Sequence, residues 1–120
     1  MAQASVSVIM PVYNPKPHEL YRALTSVLNQ SFTDFELVIC DDCSDGYVRG
    51  IIEEFSDKYE NGKIIYIRNE KNSGCAASLN RCIEKSSGQL LIRQDADDYS
   101  LQGRFEKIVK EYEENNADIV

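Results

Sequence analysis

Short apolar segments alternate with amphipathic helical segments four times along the chain. Segments 6–12, 35–40, 63–67 and 89–92 are rich in β-branched and other apolar residues and are too short for buried helices. Strands and helices that alternate in this way form a mostly parallel sheet with helices on both faces, because each parallel connection has to cross over the sheet. The sequence therefore predicts a Rossmann-like α/β domain.

Residues at helical spacing follow each predicted strand. They are Leu20, Leu24, Val27 and Leu28; Val48, Ile51, Ile52 and Phe55; Ala76, Leu79, Asn80 and Ile83; and Leu101, Phe105, Ile108, Val109 and Tyr112, the last set forming a buried side. Side-chain caps are expected from Ser44 or Asp45, from Ser73 and from Ser100. Residues 117–120 resemble the start of a fifth strand, so we expect the chain to be part of a longer α/β series.

The composition of the chain limits which classes of partner it can bind. Its 120 residues, 42% of them hydrophobic, fit one small domain with a real core. The net charge of −7 argues against nucleic acid as a partner and indicates that a phosphorylated ligand would arrive with a cation. No segment has the pattern of a membrane-spanning helix or a signal peptide. We expect a cytoplasmic location, with peripheral membrane association of the intact protein as the alternative.

The four cysteines are expected to be buried free thiols in a reducing compartment. Cys40 and Cys43 have the C-x-x-C spacing of a zinc or redox site, but Cys75 and Cys82 do not form a second such pair. Cys40 also lies inside an apolar strand, where a thiol behaves as a small hydrophobic group. Structural zinc is therefore the less favoured interpretation.

An acidic cluster, formed by Asp95, Asp97 and Asp98, directly follows the fourth predicted strand. Open parallel sheets bind ligands at the carboxyl ends of their strands. Carboxylates this close repel one another unless a cation, hydrogen-bond donors or water compensate them. The cluster is therefore either a site for Mg²⁺ or Mn²⁺ that holds a diphosphate, or a solvated acidic turn.

Two other strand ends should converge on the same edge of the sheet. Tyr13 follows the first strand and can offer a ring for a base to stack on. Asp41 and Asp42 end the second strand and can accept hydrogen bonds from a base or a ribose. The simpler interpretations are a packing tyrosine and a pair of turn-capping aspartates. His18, the only histidine, is expected to be a solvated surface residue.

Ordered sequence blocks resemble the start of family-two glycosyltransferases of the GT-A type. They are residues 7–14 (SVIMPVYN), 26–32 (SVLNQSF) and 34–44 (DFELVICDDCS), followed by 72–74 (NSG), 77–81 (ASLNR), Gly88 and 95–98 (DADD). The resemblance covers essentially the whole chain and is far more specific than a lone D-x-D. It implies inverting transfer of a sugar from a nucleotide-diphosphate sugar, in the first instance a UDP-sugar, to a saccharide or lipid-linked acceptor. It also implies Mg²⁺ or Mn²⁺ on the diphosphate.

The resemblance further implies roles for individual residues. Asp97 would be the direct metal ligand, Asp95 would contact the ribose or diphosphate and assist with the metal, and Asp98 would support the loop. The residues that would bind the donor are Pro11, Val12, Tyr13, Asn14, Asp41, Asp42, Asn72, Ser73, Gly74, Asp95 and Ala96.

The chain departs from the family pattern at a few positions. Cys43 stands where the family usually has Gly or Asn, Cys82 replaces a common Gly, and Gln102-Gly103 replaces a frequent Pro-acid pair. The family's general base and most of its acceptor pocket lie beyond the D-x-D. We therefore expect residues 1–120 to be the nucleotide-binding half of the domain, which binds donor, lacks a catalytic residue and self-associates through uncovered surfaces.

The alternatives from other classes are a phospho-receiver domain and a plain interaction module with an acidic face. A receiver has its acidic pair after the first strand, whereas Asp41 and Asp42 follow the second. A phosphatase loop of the D-x-D-x-T type fails because Tyr99 occupies the Thr position. An interaction module would bind no nucleotide, so metal-dependent binding of UDP discriminates it from the transferase.

Overall fold

A computed structural model describes residues 5–115 and confirms the α/β class. The strands are β1 (Val6–Val12), β2 (Phe35–Asp41), β3 (Ile64–Arg68) and β4 (Leu90–Arg93). The helices are α1 (Pro17–Leu28), α2 (Gly46–Ser56), α3 (Cys75–Lys85) and α4 (Arg104–Asn115). The element order matches the sequence pattern, and the strand ends differ from the predicted ones by one residue or less.

All strand pairs in the sheet are parallel, and the strand order is β3-β2-β1-β4. The chain winds outward from β1 to β2 and β3, and then returns to place β4 on the other side of β1. The carboxyl ends of β1 and β4 therefore flank the point at which the direction of winding reverses, where α/β sheets open a crevice.

Helices cover both faces of the sheet, as the sequence predicts. Val8, Met10 and Val12 of β1 pack in the larger core together with buried residues of α1, α2 and α4. Ile9 points to the opposite face, where it packs with residues of β2 and with Cys82 of α3. Successive residues of a strand alternate between faces, so the continuous apolar run of β1 is buried on both sides.

The start of α4 differs from the prediction. The helix begins at Arg104, Ser100 is not its cap, and Leu101, predicted on the buried side, is 70% exposed. Gly103 has a φ of +87° in the turn that precedes the helix. Ser100 is instead buried and donates from its hydroxyl to Gln94, while its N–H donates to the hydroxyl of Ser26. Ser100 thus holds the acidic loop in place, and the helix begins four residues later, at Arg104.

The predicted side-chain caps of the other helices are also absent. Asp45 occupies the N-cap position of α2 but forms no side-chain capping hydrogen bond. The N-cap position of α3 is occupied by Gly74, which has no side chain, and not by the predicted Ser73. The helix α3 packs through Ser78 and Cys82, whereas Ala76 and Ile83 are exposed, as is Asn80.

Pro11 limits sheet pairing on one side of β1. The pairing of β1 with β4 ends at Ile9, whereas its pairing with β2 continues to Val12. The missing N–H of Pro11 is therefore accommodated on the side of the strand that faces β4, where pairing has already ended.

The cysteines are only partly as predicted. All four are free thiols, but Cys43 is half-buried and Cys75 is exposed. Burial raises the pKa of Cys82 to about 11, as expected for an inert core thiol. Within residues 5–115, no cysteine takes part in a cluster of potential metal ligands, so the structure gives no support to the zinc alternative.

The two edges of the sheet are β3 and β4, and Leu91 on β4 is 37% exposed. Self-association through such a surface stays a prediction.

Residues 117–120, the predicted start of a fifth strand, lie outside the described residues. Across the described part of the chain, no helix combines the length and apolar character that a membrane span requires.

Candidate functional site

A cavity of about 550 Å³ opens at the carboxyl ends of β1, β2 and β4. It is bounded by the loops that follow these strands and by the first turn of α3. Its lining includes every predicted site residue except Asp41 and Ser73, namely Pro11, Val12, Tyr13, Asn14, Asp42, Asn72, Gly74, Asp95, Ala96 and Asp97. The fold therefore brings together four loops that are far apart in the sequence, those that follow β1, β2, β3 and β4.

Asp42 is the most firmly held carboxylate of the cavity. Its Oδ1 accepts hydrogen bonds from the amide of Asn69 at 2.8 Å and from the N–H of Ser73 at 2.7 Å, and its Oδ2 accepts from the N–H of Gly74 at 2.9 Å. Burial alone would raise the pKa of Asp42, but these hydrogen bonds outweigh it and keep the pKa below its usual value. Asp42 is therefore an ionised acceptor with a fixed orientation.

Asn69 organises this region and was missed by sequence reasoning. Its side chain is buried, donates to Asp42 and to the hydroxyl of Ser78, and accepts a hydrogen bond from Arg81. Its own N–H donates to the carbonyl of Asp41, which ties the end of β3 to the end of β2. An asparagine two residues after the predicted third strand, which ends at residue 67, was the available signal.

Asp41 does not line the cavity. Its side chain is fully buried, with Oδ1 accepting from the N–H of Ser44 and Oδ2 accepting from the hydroxyl of Tyr66 at 2.5 Å. Arg68 lies 3.6 Å from the same Oδ2. Burial and the neighbouring carboxylate raise the pKa of Tyr66, so the phenol stays a donor. Asp41 thus connects β2 to β3, and we leave it out of the proposed donor contacts.

The loop after β4 presents the predicted acidic cluster. Carboxylate oxygens of Asp95, Asp97 and Asp98 lie within 4.8 Å of one another, and within residues 5–115 this is the only such group of potential metal ligands. Asp95 is half-buried, whereas Asp97 and Asp98 are exposed. Oxygen ligands from one or two carboxylates, with positions left for phosphate and water, suit Mg²⁺ or Mn²⁺. The residues present therefore fit the predicted cation.

Two arginine side chains hold this acidic loop in place, Arg104 half-buried and Arg22 exposed. Arg104 donates to the carbonyl of Arg93 at 3.0 Å and to the hydroxyl of Ser100 at 3.0 Å. The guanidinium of Arg22 lies over the ring of Tyr99 and reaches the carbonyl of Asp97 at 3.4 Å. The loop is thus anchored on both sides to helices, which limits the motion of its carboxylates.

The loop after β1 is joined to the loop after β2. The N–H of Asn14 donates to Ser44, and the side-chain oxygen of Asn14 accepts from the N–H of Asp45. Cys43 has a φ of +64°, a conformation that Gly or Asn adopts at lower cost. This explains why the family resemblance implies Gly or Asn there. Tyr13 is 54% exposed, so its ring is accessible from the cavity.

Further lining residues had not been singled out from the sequence. They are Pro15, Glu19, Cys75, Ser78 and Arg93. Arg93 forms an ion pair with Asp95, with Nε 2.9 Å from Oδ1. Its place two residues before the D-x-D, at a strand end, was a usable signal. The others depend on how α1 and α3 approach the sheet, which the local sequence does not specify.

The strand order and the crevice beside β1 are typical of Rossmann-like α/β domains that bind nucleotides. The order differs from the 2-1-3-4-5 arrangement of receiver domains, which removes that alternative. The sequence profile of Glycosyl transferase family 2 matches residues 7–120, and the chain belongs to this family.

Proteins of several organisms are similar to this chain in sequence. EpsE of Bacillus subtilis is 42% identical over 105 residues, which are 87% of this chain and 37% of EpsE. WfgD of Escherichia coli, named as UDP-Glc:alpha-D-GlcNAc-diphosphoundecaprenol beta-1,3-glucosyltransferase, is 33% identical over 111 residues, 92% of this chain and 42% of WfgD. The chain thus spans 37 to 42% of the length of these two relatives.

Solved structures share the fold. S. aureus TarS 1-349 in complex with UDP-GlcNAc superposes with a TM-score of 0.86 at 27% identity, over 95% of this chain and 32% of that TarS 1-349 chain. The mannosyltransferase PcManGT from Pyrobaculum calidifontis, in complex with GDP-Man and Mn2+, gives a TM-score of 0.84 at 20% identity, over 92% of this chain and 33% of PcManGT.

The hydrogen bonds to Asp42 predict a pH dependence of stability. A carboxylate whose pKa is lowered by folding stabilises the fold above its unfolded pKa, here 3.8, and loses that contribution as the pH falls through the folded pKa. The Asp42→Asn variant should therefore be less stable than the wild type at pH 7, and the difference should shrink below pH 3.8. Urea denaturation between pH 3 and pH 7 measures it. A difference that stays constant across this range would contradict the prediction.

Proposed function

We propose that the chain is the donor-binding part of a glycosyltransferase that moves a sugar, with inversion, from a UDP-sugar to an acceptor hydroxyl with the help of a divalent cation. The single observation that supports this most is the composition of the cavity. An accessible ring at Tyr13, a hydrogen-bonded carboxylate at Asp42 and the acidic pair Asp95 and Asp97 all line one volume of about 550 Å³. A base, a ribose and a diphosphate with its cation need these three kinds of contact.

Each residue has a role that its chemistry permits. Tyr13 stacks on the base, a contact that contributes about 1–3 kcal/mol. Asp42, whose ionised carboxylate is already oriented, accepts a hydrogen bond from the base or ribose. Asp97 holds the cation directly and Asp95 takes part, with Mg²⁺ or Mn²⁺ as the ion. When bound, the cation neutralises the charge that develops on the departing diphosphate.

The loop at 72–74 closes the base side of the cavity. Asn72 and Gly74 line it, while Ser73 acts through its backbone, because its N–H donates to Asp42 and its hydroxyl donates to Lys71. Pro11, Val12, Asn14 and Ala96 complete the walls at the ends of β1 and β4. Ser73 is thus proposed to orient Asp42 instead of touching the donor with its side chain.

The choice of UDP is supported by two related proteins. TarS, 27% identical to this chain, has been solved with UDP-GlcNAc, and the name of WfgD specifies UDP-Glc as donor. The name of WfgD also specifies a lipid-linked saccharide, which supports a saccharide or lipid-linked acceptor for the full-length protein. We propose further that residues 1–120 bind the donor without transferring the sugar. Asp42, Asp95 and Asp97 have roles toward the donor and the cation, and the remaining carboxylate of the cavity, Glu19, accepts a hydrogen bond from the N–H of Lys16 at the start of α1.

Calorimetric titration of the chain with UDP, in the presence and absence of Mn²⁺, tests the proposal. We expect saturable binding of UDP with Mn²⁺ and much weaker binding without it. UMP, which lacks the second phosphate, should gain less from the cation. Equal binding with and without Mn²⁺ would contradict the metal role, and no binding of UDP at all would support the alternative of a non-catalytic interaction module.

A further inference from the structure

We infer that Arg93 is a second phosphate-binding group of the cavity, which exchanges its ion pair with Asp95 for an oxygen of the donor's diphosphate when the cation is bound. The inference rests on the proposed function and deepens it. It assigns a direct contact with the donor to a residue that neither the D-x-D motif nor the family resemblance singles out.

The backbone of β4 directs Arg93 toward the cavity. Ile92 is buried in the larger core, so its neighbour Arg93 points to the opposite face, in register with Ile9. That face is covered by α3, and its first residue, Cys75, lies beside the guanidinium, with Sγ 3.7 Å from Nη2. Arg93 is thus set between the acidic loop and the start of α3, and it lines the cavity.

Most of the guanidinium's donors are available to a ligand. Nε donates to Oδ1 of Asp95 at 2.9 Å, and Nη2 has only the weak contact with Cys75. Nη1 forms no hydrogen bond with any residue of 5–115. The side chain of Arg93 is 53% exposed and that of Asp95 is 40% exposed, so both are accessible to solvent. An exposed ion pair of this kind is weak and can exchange partners at little cost.

The charge of the cavity requires such a group. Among residues 5–115, its acidic lining residues are Glu19, Asp42, Asp95 and Asp97, and Arg93 is its one cationic lining residue. A diphosphate that approached four carboxylates would be repelled. A cation held by Asp95 and Asp97 competes with Arg93 for the carboxylate of Asp95. The guanidinium can then turn to a phosphate oxygen, which its planar array of donors matches.

The alternative is that Arg93 only neutralises Asp95. The two possibilities predict different results for the Arg93→Met variant, which keeps the stem of the side chain and removes the charge. In both cases Mn²⁺ alone should bind more tightly, because Asp95 is freed from its partner. Only the proposed exchange predicts that UDP with Mn²⁺ binds more weakly, by about 10-fold to 100-fold, the usual range for a charge-assisted hydrogen bond.

The experiment compares the wild type, Arg93→Met, Arg93→Lys and the control Arg49→Met by titration with Mn²⁺, with uridine and with UDP plus Mn²⁺. Arg49 pairs with Glu53 on the exposed face of α2, so its replacement removes the same charge away from the cavity. We expect Arg93→Met to lose UDP affinity while its uridine affinity is unchanged, Arg93→Lys to lose less, and Arg49→Met to behave as the wild type. Unchanged thermal melting confirms that each variant is folded.

Three results would overturn the inference, and they are distinguishable. If the wild type binds UDP with Mn²⁺ but Arg93→Met binds it as tightly as Arg49→Met does, the exchange is wrong and the proposed function stands. If the wild type does not bind UDP, the proposed function and the inference both fall. A parallel loss of uridine affinity in Arg93→Met would also contradict a contact with the phosphates.

Discussion

Replacing Asp97 by alanine is expected to weaken the Mn²⁺-dependent binding of UDP by about 100-fold or more. Groups that only orient a metal ligand change metal affinity by about 10- to 100-fold, so the loss of a direct ligand should reach at least the upper end of that range. Asp97 is exposed at the mouth of the cavity, and its carbonyl, not its carboxylate, contacts Arg22. The variant should therefore fold normally and lose only the cation.

The neighbouring aspartate provides the comparison. Asp98 belongs to the same carboxylate cluster, but its described backbone contact, from its N–H to the carbonyl of Asp95, survives replacement by alanine. Asp98→Ala should therefore weaken UDP binding by about 10-fold, less than Asp97→Ala does, because a supporting carboxylate acts only through the loop. Binding of UDP without Mn²⁺ should be equal in both variants. Equal losses for Asp97→Ala and Asp98→Ala would contradict the assigned roles.

Replacing Gly88 by alanine is expected to reduce the free energy of unfolding by about 3 kcal/mol or more, the upper range for overpacking. A Cβ at this position would lie 2.6 Å from the backbone nitrogen of Ser7 and 2.7 Å from the carbonyl carbon of Val6. These atoms belong to the central strand β1, which pairs on both sides and cannot shift without disturbing β2 and β4. The N–H of Gly88 also donates to the hydroxyl of Ser7 at 2.8 Å.

A glycine-to-alanine substitution at another position should change the free energy of unfolding in the opposite direction. Gly50 lies inside α2, and a Cβ there would meet nothing within 4 Å. Gly50→Ala should therefore raise the free energy of unfolding by about 0.5–1 kcal/mol, the gain in helix propensity. Urea denaturation of both variants measures the difference. Similar stabilities for Gly88→Ala and Gly50→Ala would show that the turn at Gly88 can move away from β1.

The strands were predictable because their apolar composition and length leave few alternatives. The run that forms β1 is buried on both faces, and a segment of this kind has to lie at the centre of a parallel sheet. The carboxyl ends of parallel strands lie on one edge, so the sequence could also place Tyr13, Asp42 and the acidic cluster near one another. That geometry follows from the order of elements alone.

The start of α4 was not predictable from local pattern. Ser100 followed by Leu101 resembles a capped helix start, but Ser100 bonds to Gln94 and Ser26 instead. Ser26 lies on α1 and Gln94 directly follows β4, and the two hydrogen bonds, one from the hydroxyl of Ser100 and one from its N–H, outweigh a capping preference of about 1 kcal/mol. Leu101 is left exposed as a consequence.

The sequence by itself determined the α/β class, the order of the elements and the acidic loop at the end of β4, because periodicity and composition act locally. Only the tertiary structure decided which carboxylates face the cavity. Asp41 and Asp42 are adjacent and chemically identical. The carboxylate of Asp41 accepts hydrogen bonds from Tyr66 and Ser44 and is buried away from the cavity. The carboxylate of Asp42 is oriented at the cavity by hydrogen bonds from Asn69, Ser73 and Gly74. The partners come from distant segments, so their effect exists only once the sheet has formed.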